Sequence, residues 1–290
     1  MRKIGVGLLS FFALAAVAWN ASRPLEIAFE KHVIDLGASE TCAFADINRD
    51  GKLDIVSGEN WYQGPGWTKH PFRSIEYGRN ATEDLTDLAL DVNADGYPDV
   101  ISSASHAKKI WWNENPGKSG AAWKEHAIET GHSVEFTFLV DLDNDGKARE
   151  VLPQFGKPAD PQVWYELSHG DFVEHVISPN SHGHGIGVGD LNGDGRNDVV
   201  TPTGWLEAPA DPRSPDWKFH NEFDLGKTGY IYVVDINGDG RPDLVTTMAH
   251  DYGFFWMENL GAGAWKKHMI DDTWSEIGRA SCRERVSNCV

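Results

Sequence analysis

The segment "DINGDGRPDLV" (235–245) sets aspartate or asparagine at alternate positions, and its plan recurs at "DINRDGKLDIV" (46–56), "DVNADGYPDVI" (91–101), "DLDNDGKAREV" (141–151) and "DLNGDGRNDVV" (190–200). The first aspartates fall at 46, 91, 141, 190 and 235, so successive copies are 45, 50, 49 and 45 residues apart. A repeat of that length is one supersecondary unit stacked on its neighbours. Each unit reads as four short strands. The first precedes the acidic loop (42–47, 88–92, 136–142, 185–191, 230–236) and the second follows it, as in "PDVISSA" and "PDLVTTM". The third is aromatic ("NWYQ", "KIWWNEN", "QVWYEL", "GWLE", "GFFWMEN"), and the fourth carries a histidine ("WTKHPF", "WKEHAI", "FVEHVI", "WKFHNE", "WKKHMI"). Four antiparallel strands, rich in β-branched and aromatic residues and bounded by Gly, Pro, Asn and Asp, make a β-propeller blade. The fold class expected is therefore all-β: a propeller with five complete blades over residues 25–275.

The fourth-strand signature also occurs at "FEKHVI" (29–34), ahead of any loop. We read residues 25–34 as an orphan outer strand of a last blade built from both chain ends, which implies six or seven blades in the intact protein. Arg2, Lys3, the apolar run 4–18 and Ala16-Val17-Ala18 fit a secretory signal peptide over residues 1–18. Residues 276–290 break the pattern, and "EIGRASCRERV" closely resembles a translated DNA-sequencing adapter, so this tail is set aside as non-native. The protein is then expected outside the cytoplasm, secreted or periplasmic, with no membrane insertion after signal cleavage. Cys42 is the one cysteine outside the tail, so no disulfide framework is expected, and its first-strand position suggests core.

The loop spacing D-x-[DN]-x-D-G-x-x-D puts side-chain oxygens at positions 1, 3, 5 and 9, adds a backbone carbonyl at position 7, and turns on the glycine at 6. Hard oxygen donors in that number suit Ca²⁺. The expected ligands are Asp46, Asn48, Asp50, Lys52 and Asp54 in loop 1, and Asp91, Asn93, Asp95, Tyr97 and Asp99 in loop 2. Loop 4 offers Asp190, Asn192, Asp194, Arg196 and Asp198, and loop 5 offers Asp235, Asn237, Asp239, Arg241 and Asp243. Lys52, Tyr97, Arg196 and Arg241 would act through their carbonyls. Loop 3 keeps Asp141, Asp143 and Asp145 but has Arg149 at position 9, with Glu150 one residue late. Either Glu150 reaches in through a bulge or Arg149 compensates the charge, and this is expected to be the poorest of the sites. Four Ca²⁺ sites and a degenerate fifth would also account for much of the formal charge of −18, which itself excludes a nucleic-acid partner.

These loops, each set between two apolar strands, resemble FG-GAP/VCBS-type repeats, the calcium-binding blades of integrin-α-like propellers. The resemblance covers residues 25–275 and implies a propeller, often of seven blades, with Ca²⁺ between the first two strands of each. It does not imply one activity, because the family spans adhesion proteins, secreted binding proteins and some polysaccharide-degrading enzymes.

A ligand site is expected on the face opposite the acidic loops, where the blade connections run. His132, His182 and His184 precede first strands; His106 and His250 each lie seven residues after a ninth-position aspartate; Glu40, Glu135 and His184 each lie six before a first one. Converging there, His106, His132, His184 and His250 are the candidates for catalysis or transition-metal binding. The fourth-strand histidines (His32, His70, His126, His175, His220, His268) and Trp67, Trp123, Trp217 and Trp265 mark blade positions, so packing or a strand-to-strand hydrogen bond is their expected role. Trp61, Trp111, Trp112, Trp164, Trp205 and Trp256 are expected mostly as blade core, with one of the pair Trp111–Trp112 facing the other side, where it could stack on a sugar ring. No nucleophile elbow, phosphate loop, dinucleotide fingerprint or zinc-protease motif is present. The function expected is a binding or scaffold module for a glycan or protein; the alternative is a carbohydrate-active enzyme of polysaccharide-lyase type using the histidine-rich face.

Overall fold

The computed structural model describes residues 30–78 and 81–275. The signal-peptide and tail assignments lie outside them. Residues 30–33 belong to a small N-terminal unit, and all that follows concerns the unit beginning at Ile34. Residues 30–34 pair with no strand, so the orphan-strand expectation finds no ladder there, and residues 25–29 lie outside the described chain. An extended segment becomes a stable strand only through partners.

Five four-stranded antiparallel blades follow in chain order. Blade 1 is β1 (Ala43–Ala45), β2 (Asp54–Ser57), β3 (Asn60–Gln63) and β4 (Thr68–Pro71). A short antiparallel ladder, β5 (Tyr77–Gly78) with β6 (Ala81–Thr82), precedes blade 2: β7 (Thr86–Leu90), β8 (Asp99–Ala104), β9 (Lys109–Glu114) and β10 (Lys124–Thr130). Blade 3 is β11 (Val134–Val140), β12 (Glu150–Phe155), β13 (Gln162–Ser168) and β14 (Asp171–Ser178). Blade 4 is β15 (Ile186–Gly189), β16 (Asp198–Thr201), β17 (Gly204–Glu207) and β18 (Lys218–His220). Blade 5 is β19 (Thr228–Val234), β20 (Asp243–Met248), β21 (Tyr252–Gly261) and β22 (Ala264–Ser275). The one helical segment among the described residues is a 3-10 turn, Gly117–Ser119. No helix in them is long and apolar enough to cross a membrane.

Burial follows strand position. The second strands β8, β12 and β16 are buried at every residue, because each is covered on both faces by neighbouring blades. The fourth strands β4 and β18 are mostly exposed. First strands of adjacent blades approach closely enough for β15 and β19 to pair in parallel, Gly187 opposite Ile231. A Cβ on Gly187 would sit 2.1 Å from the Ile231 carbonyl oxygen, so glycine is required there.

Apolar residues fill the spaces between blades. Trp112, Val134 and Phe155 lie between blades 2 and 3, Trp164 and Trp217 between 3 and 4, and Trp205, Phe255 and Trp265 between 4 and 5. The cluster between blades 1 and 2 is smaller, with Ile47, Val56 and Val100 as its buried members and Trp61, Phe72 and Trp123 half-covered around them. Two expectations are corrected here. Trp111 and Trp112 are both buried, since a blade has a neighbour on each face, so neither is free for a sugar. Cys42 is exposed because β1 is half-open to solvent, not packed in a core.

The third and fourth strands explain the recurring histidine. Trp61–His70, Trp112–His126, Trp164–His175, Trp205–His220 and Trp256–His268 are cross-strand partners whose rings stack at 4.1–4.5 Å. In four blades the histidine Nε2 also meets a glutamate two residues beyond the tryptophan: Glu114, Glu166, Glu207 or Glu258, at 2.6–2.9 Å. Packing and hydrogen bonding, both expected of these residues, act together.

Candidate functional site

The acidic loops share one backbone scheme. In loop 1, Asp46 accepts the Asp50 and Gly51 amides (2.9 and 2.8 Å), Asn48 accepts Asp50 N–H, and Asp50 accepts Lys52 N–H (both 3.0 Å). Loops 2, 4 and 5 repeat it through Asp91, Asn93 and Asp95, through Asp190, Asn192 and Asp194, and through Asp235, Asn237 and Asp239. The sixth-position glycines all sit at φ 84–89°, which explains why that position is invariably Gly.

Position 9 acts differently from the exposed positions. Asp54 is fully buried and accepts Ile47 N–H and Gly64 N–H, each at 2.9 Å, so it clamps the loop to the end of the third strand. Asp99, Asp198 and Asp243 make the same pair of bonds. Burial pushes the Asp99 and Asp198 carboxyls up to about 6, and raises Asp54.

Loop 3 combines both alternatives drawn from its sequence. Glu150 is buried and takes the ninth-position role, accepting Leu142 N–H at 3.0 Å, and burial lifts its carboxyl to about 7. Arg149 pairs with Asp145, and Arg213 of the following blade reaches Asp143 at 3.2 Å. Oxygens of Asp141, Asp143 and Glu150 nevertheless lie within 4.8 Å of one another, and Asp141 Oδ1 is buried without a hydrogen-bond partner. An orphaned buried carboxylate oxygen beside two others fits a hard cation. In loops 4 and 5, Arg196 and Arg241 turn back to Asp194 and Asp239, and bond the carbonyls of Ala208 and Asn259.

The four candidate histidines divide. His106 faces Glu83 at 2.7 Å, and His132 faces Glu129 at 2.7 Å while stacking on Phe155. His184 and His250 come together, ring centroids 4.8 Å apart, with Glu135 Oε2 2.9 Å from His184 Nε2. Burial disfavours charge on His184, but the bonds to Glu135 and the Thr228 carbonyl outweigh it and raise its pKa.

A feature that sequence reasoning missed lies between blades 1 and 2. The thin packing there leaves an open groove of 760 Å³, walled by Trp61, His70 and Phe72 on one side and Tyr97, Asn115 and Trp123 on the other. Blade 1 is also the blade without the histidine–glutamate pair. Gln63 stands where the others have Glu and donates instead to Asp50 at 3.1 Å, so His70 Nε2 is buried with no partner. The substitution of Gln for Glu at that repeat position was the available signal.

Residues 91–148 match the FG-GAP-like repeat family. The chain is 25% identical over 227 residues to a T-cell immunomodulatory protein homolog of Plasmodium falciparum (isolate 3D7), aligning 61% of this chain with 30% of that protein; it thus spans under a third of the relative's length. Among solved structures, rhamnogalacturonan lyase YesW superposes with a TM-score of 0.52 at 13% identity, over 78% of this chain and 50% of that one. An Agrocybe aegerita lectin that recognises non-reducing terminal N-acetylglucosamine gives 0.48 at 18% identity, over 81% and 67%. The V. cholerae biofilm matrix protein Bap1 gives 0.46 at 19%, over 75% and 37%. The match that runs from loop 2 through loop 3 thus places an FG-GAP-like repeat within a chain of five four-stranded, loop-bearing blades of β-propeller architecture.

Proposed function

We propose that this chain is an exported binding module whose acidic loops hold Ca²⁺ and whose groove between blades 1 and 2 takes a glycan. The observation that carries the reading is the unpartnered His70 Nε2 on a wall of aromatic rings. Flat aromatic faces suit the apolar faces of sugar rings, and a buried nitrogen lacking a partner suits a hydroxyl. Nothing comparable recurs at the other blade interfaces described, where the equivalent tryptophans are packed and the histidines paired. Residues Ile47 and Asn48 of loop 1 line the groove, so an ion ordering that loop would also hold one wall in place. Buried carboxylates at position 9 and clustered ones at positions 1 and 5, joined in loop 3 by Asp143 at position 3, are the charges a dication would compensate.

The test is isothermal titration and tryptophan fluorescence against a panel of oligosaccharides in millimolar Ca²⁺. Saturable binding lost in Trp61→Ala and Trp123→Ala, but kept in Trp256→Ala, is the expected result. Absence of binding across the panel, or binding that survives both groove variants, refutes the glycan assignment.

A further inference from the structure

Three blades meet at the histidine cluster. Glu135 is the second residue of β11, His184 lies two residues before β15, and His250 sits in the turn between β20 and β21. One ligand atom from each lies within 4.8 Å of the other two. Glu135 and His184 are half-buried and His250 is exposed, so the cluster is open to solvent on one side.

The orientation of His184 is fixed from behind. Its Nδ1 lies 2.9 Å from the Thr228 carbonyl oxygen, a contact that requires a proton on Nδ1. Its own carbonyl accepts Thr228 N–H at 2.8 Å. The next residue, Gly185, sits at φ +127° with no room for a Cβ, which would lie 2.2 Å from Thr228 Oγ1. Phe136 meets the ring edge-on at 5.2 Å and Tyr230 packs on Phe136, giving the site an aromatic floor. With Nδ1 committed to that carbonyl, Nε2 is the nitrogen that faces Glu135 Oε2 across 2.9 Å. A shared proton closes this contact in the absence of an ion, and a metal binding here would displace it. A backbone carbonyl on the far nitrogen is also the usual support for a metal-bound imidazole.

We propose that Glu135, His184 and His250 bind one divalent transition-metal ion, Zn²⁺ by preference, that ties blades 3, 4 and 5 together. Two imidazole nitrogens and one carboxylate oxygen are the donor set of zinc rather than of Ca²⁺, which takes oxygens only. Three protein ligands leave a coordination position for water or an anionic ligand group, reached past the exposed His250. The acidic loops play no part in this site, so it stands or falls apart from the calcium and glycan assignments.

The experiment uses the full chain, metal-stripped, with thiols capped and millimolar Ca²⁺ present to occupy oxygen sites, and titrates Zn²⁺ by calorimetry. The expected result is one Zn²⁺ per chain, a visible absorption band when Co²⁺ replaces it, and a Zn²⁺-dependent rise in melting temperature. His250→Ala, at an exposed turn, and Glu135→Gln each weaken Zn²⁺ binding by at least about tenfold and abolish the melting shift, while His106→Ala leaves both unchanged. Failure of the wild-type chain to take up a stoichiometric Zn²⁺, or uptake that both His250→Ala and Glu135→Gln leave intact, overturns the proposal.

Discussion

Arg73 is the residue whose removal the fold should resist least. Its side chain is 3% exposed and ties blade 1 to blade 2: Nε donates to the Gly58 carbonyl at 2.8 Å, Nη2 to Asp84 at 3.0 Å and Asp87 at 2.7 Å, and Nη1 to Ser102 Oγ. Both aspartates are fully buried, and one oxygen of each already lacks a hydrogen-bond partner. Burial, with Asp87 alongside, raises Asp84 well above the ordinary carboxylate range even with the guanidinium present. Arg73→Ala therefore strands two carboxyls, a carbonyl and a hydroxyl in a water-poor site. Breaking a buried ion pair from one side costs about 3–5 kcal/mol, which for a chain of this size lowers the melting temperature by about 6–20 °C. The cost lies in the orphaned partners, so Arg73→Met combined with Asp84→Asn and Asp87→Asn should recover most of it. Calorimetric melting of wild type, single and triple variants in one buffer decides the matter. A drop below about 2 °C in Arg73→Ala, or a triple variant as unstable as the single, refutes the reasoning.

Three further outcomes are expected. Gly187→Ala pushes a Cβ into the Ile231 carbonyl and forces β15 from β19, so urea denaturation should reveal a loss of at least about 1–3 kcal/mol. Lys69 first, then Tyr62 and the Leu36 and Gly37 amides, hold the Asp35 carboxyl down at about 2. A depressed carboxylate stabilises the fold above its unfolded pKa and loses that contribution as pH falls through the folded one, so the stability gap between wild type and Asp35→Asn should narrow between pH 4 and pH 2. Chelation of Ca²⁺ should lower the melting temperature, each occupied loop being worth about 2.7 kcal/mol at a hundredfold excess of ion over Kd; a melting curve indifferent to chelator would remove calcium from the account.

Much of this protein was legible from one dimension. The acid–glycine loop dictates a turn between two strands, and five copies at one period dictate five like units. The strand order, the tryptophan–histidine pairing across β3/β4 and its counterparts, and the rescue of loop 3 by Glu150 all follow from local spacing, because cross-strand neighbours lie close in sequence. Glu135 and His184 were visible as equivalent positions six residues before their loops. Which residues meet across blades was not: that His184 takes His250 as neighbour while His106 and His132 turn to their own glutamates depends on how three sheets splay about one another. The burial of both Trp111 and Trp112, the exposure of Cys42 and the groove beside His70 likewise arise where one sheet covers, or fails to cover, the next. Repeat spacing fixes contacts within a blade, whereas contacts between blades join residues tens of positions apart, and only the packed sheets set their distance.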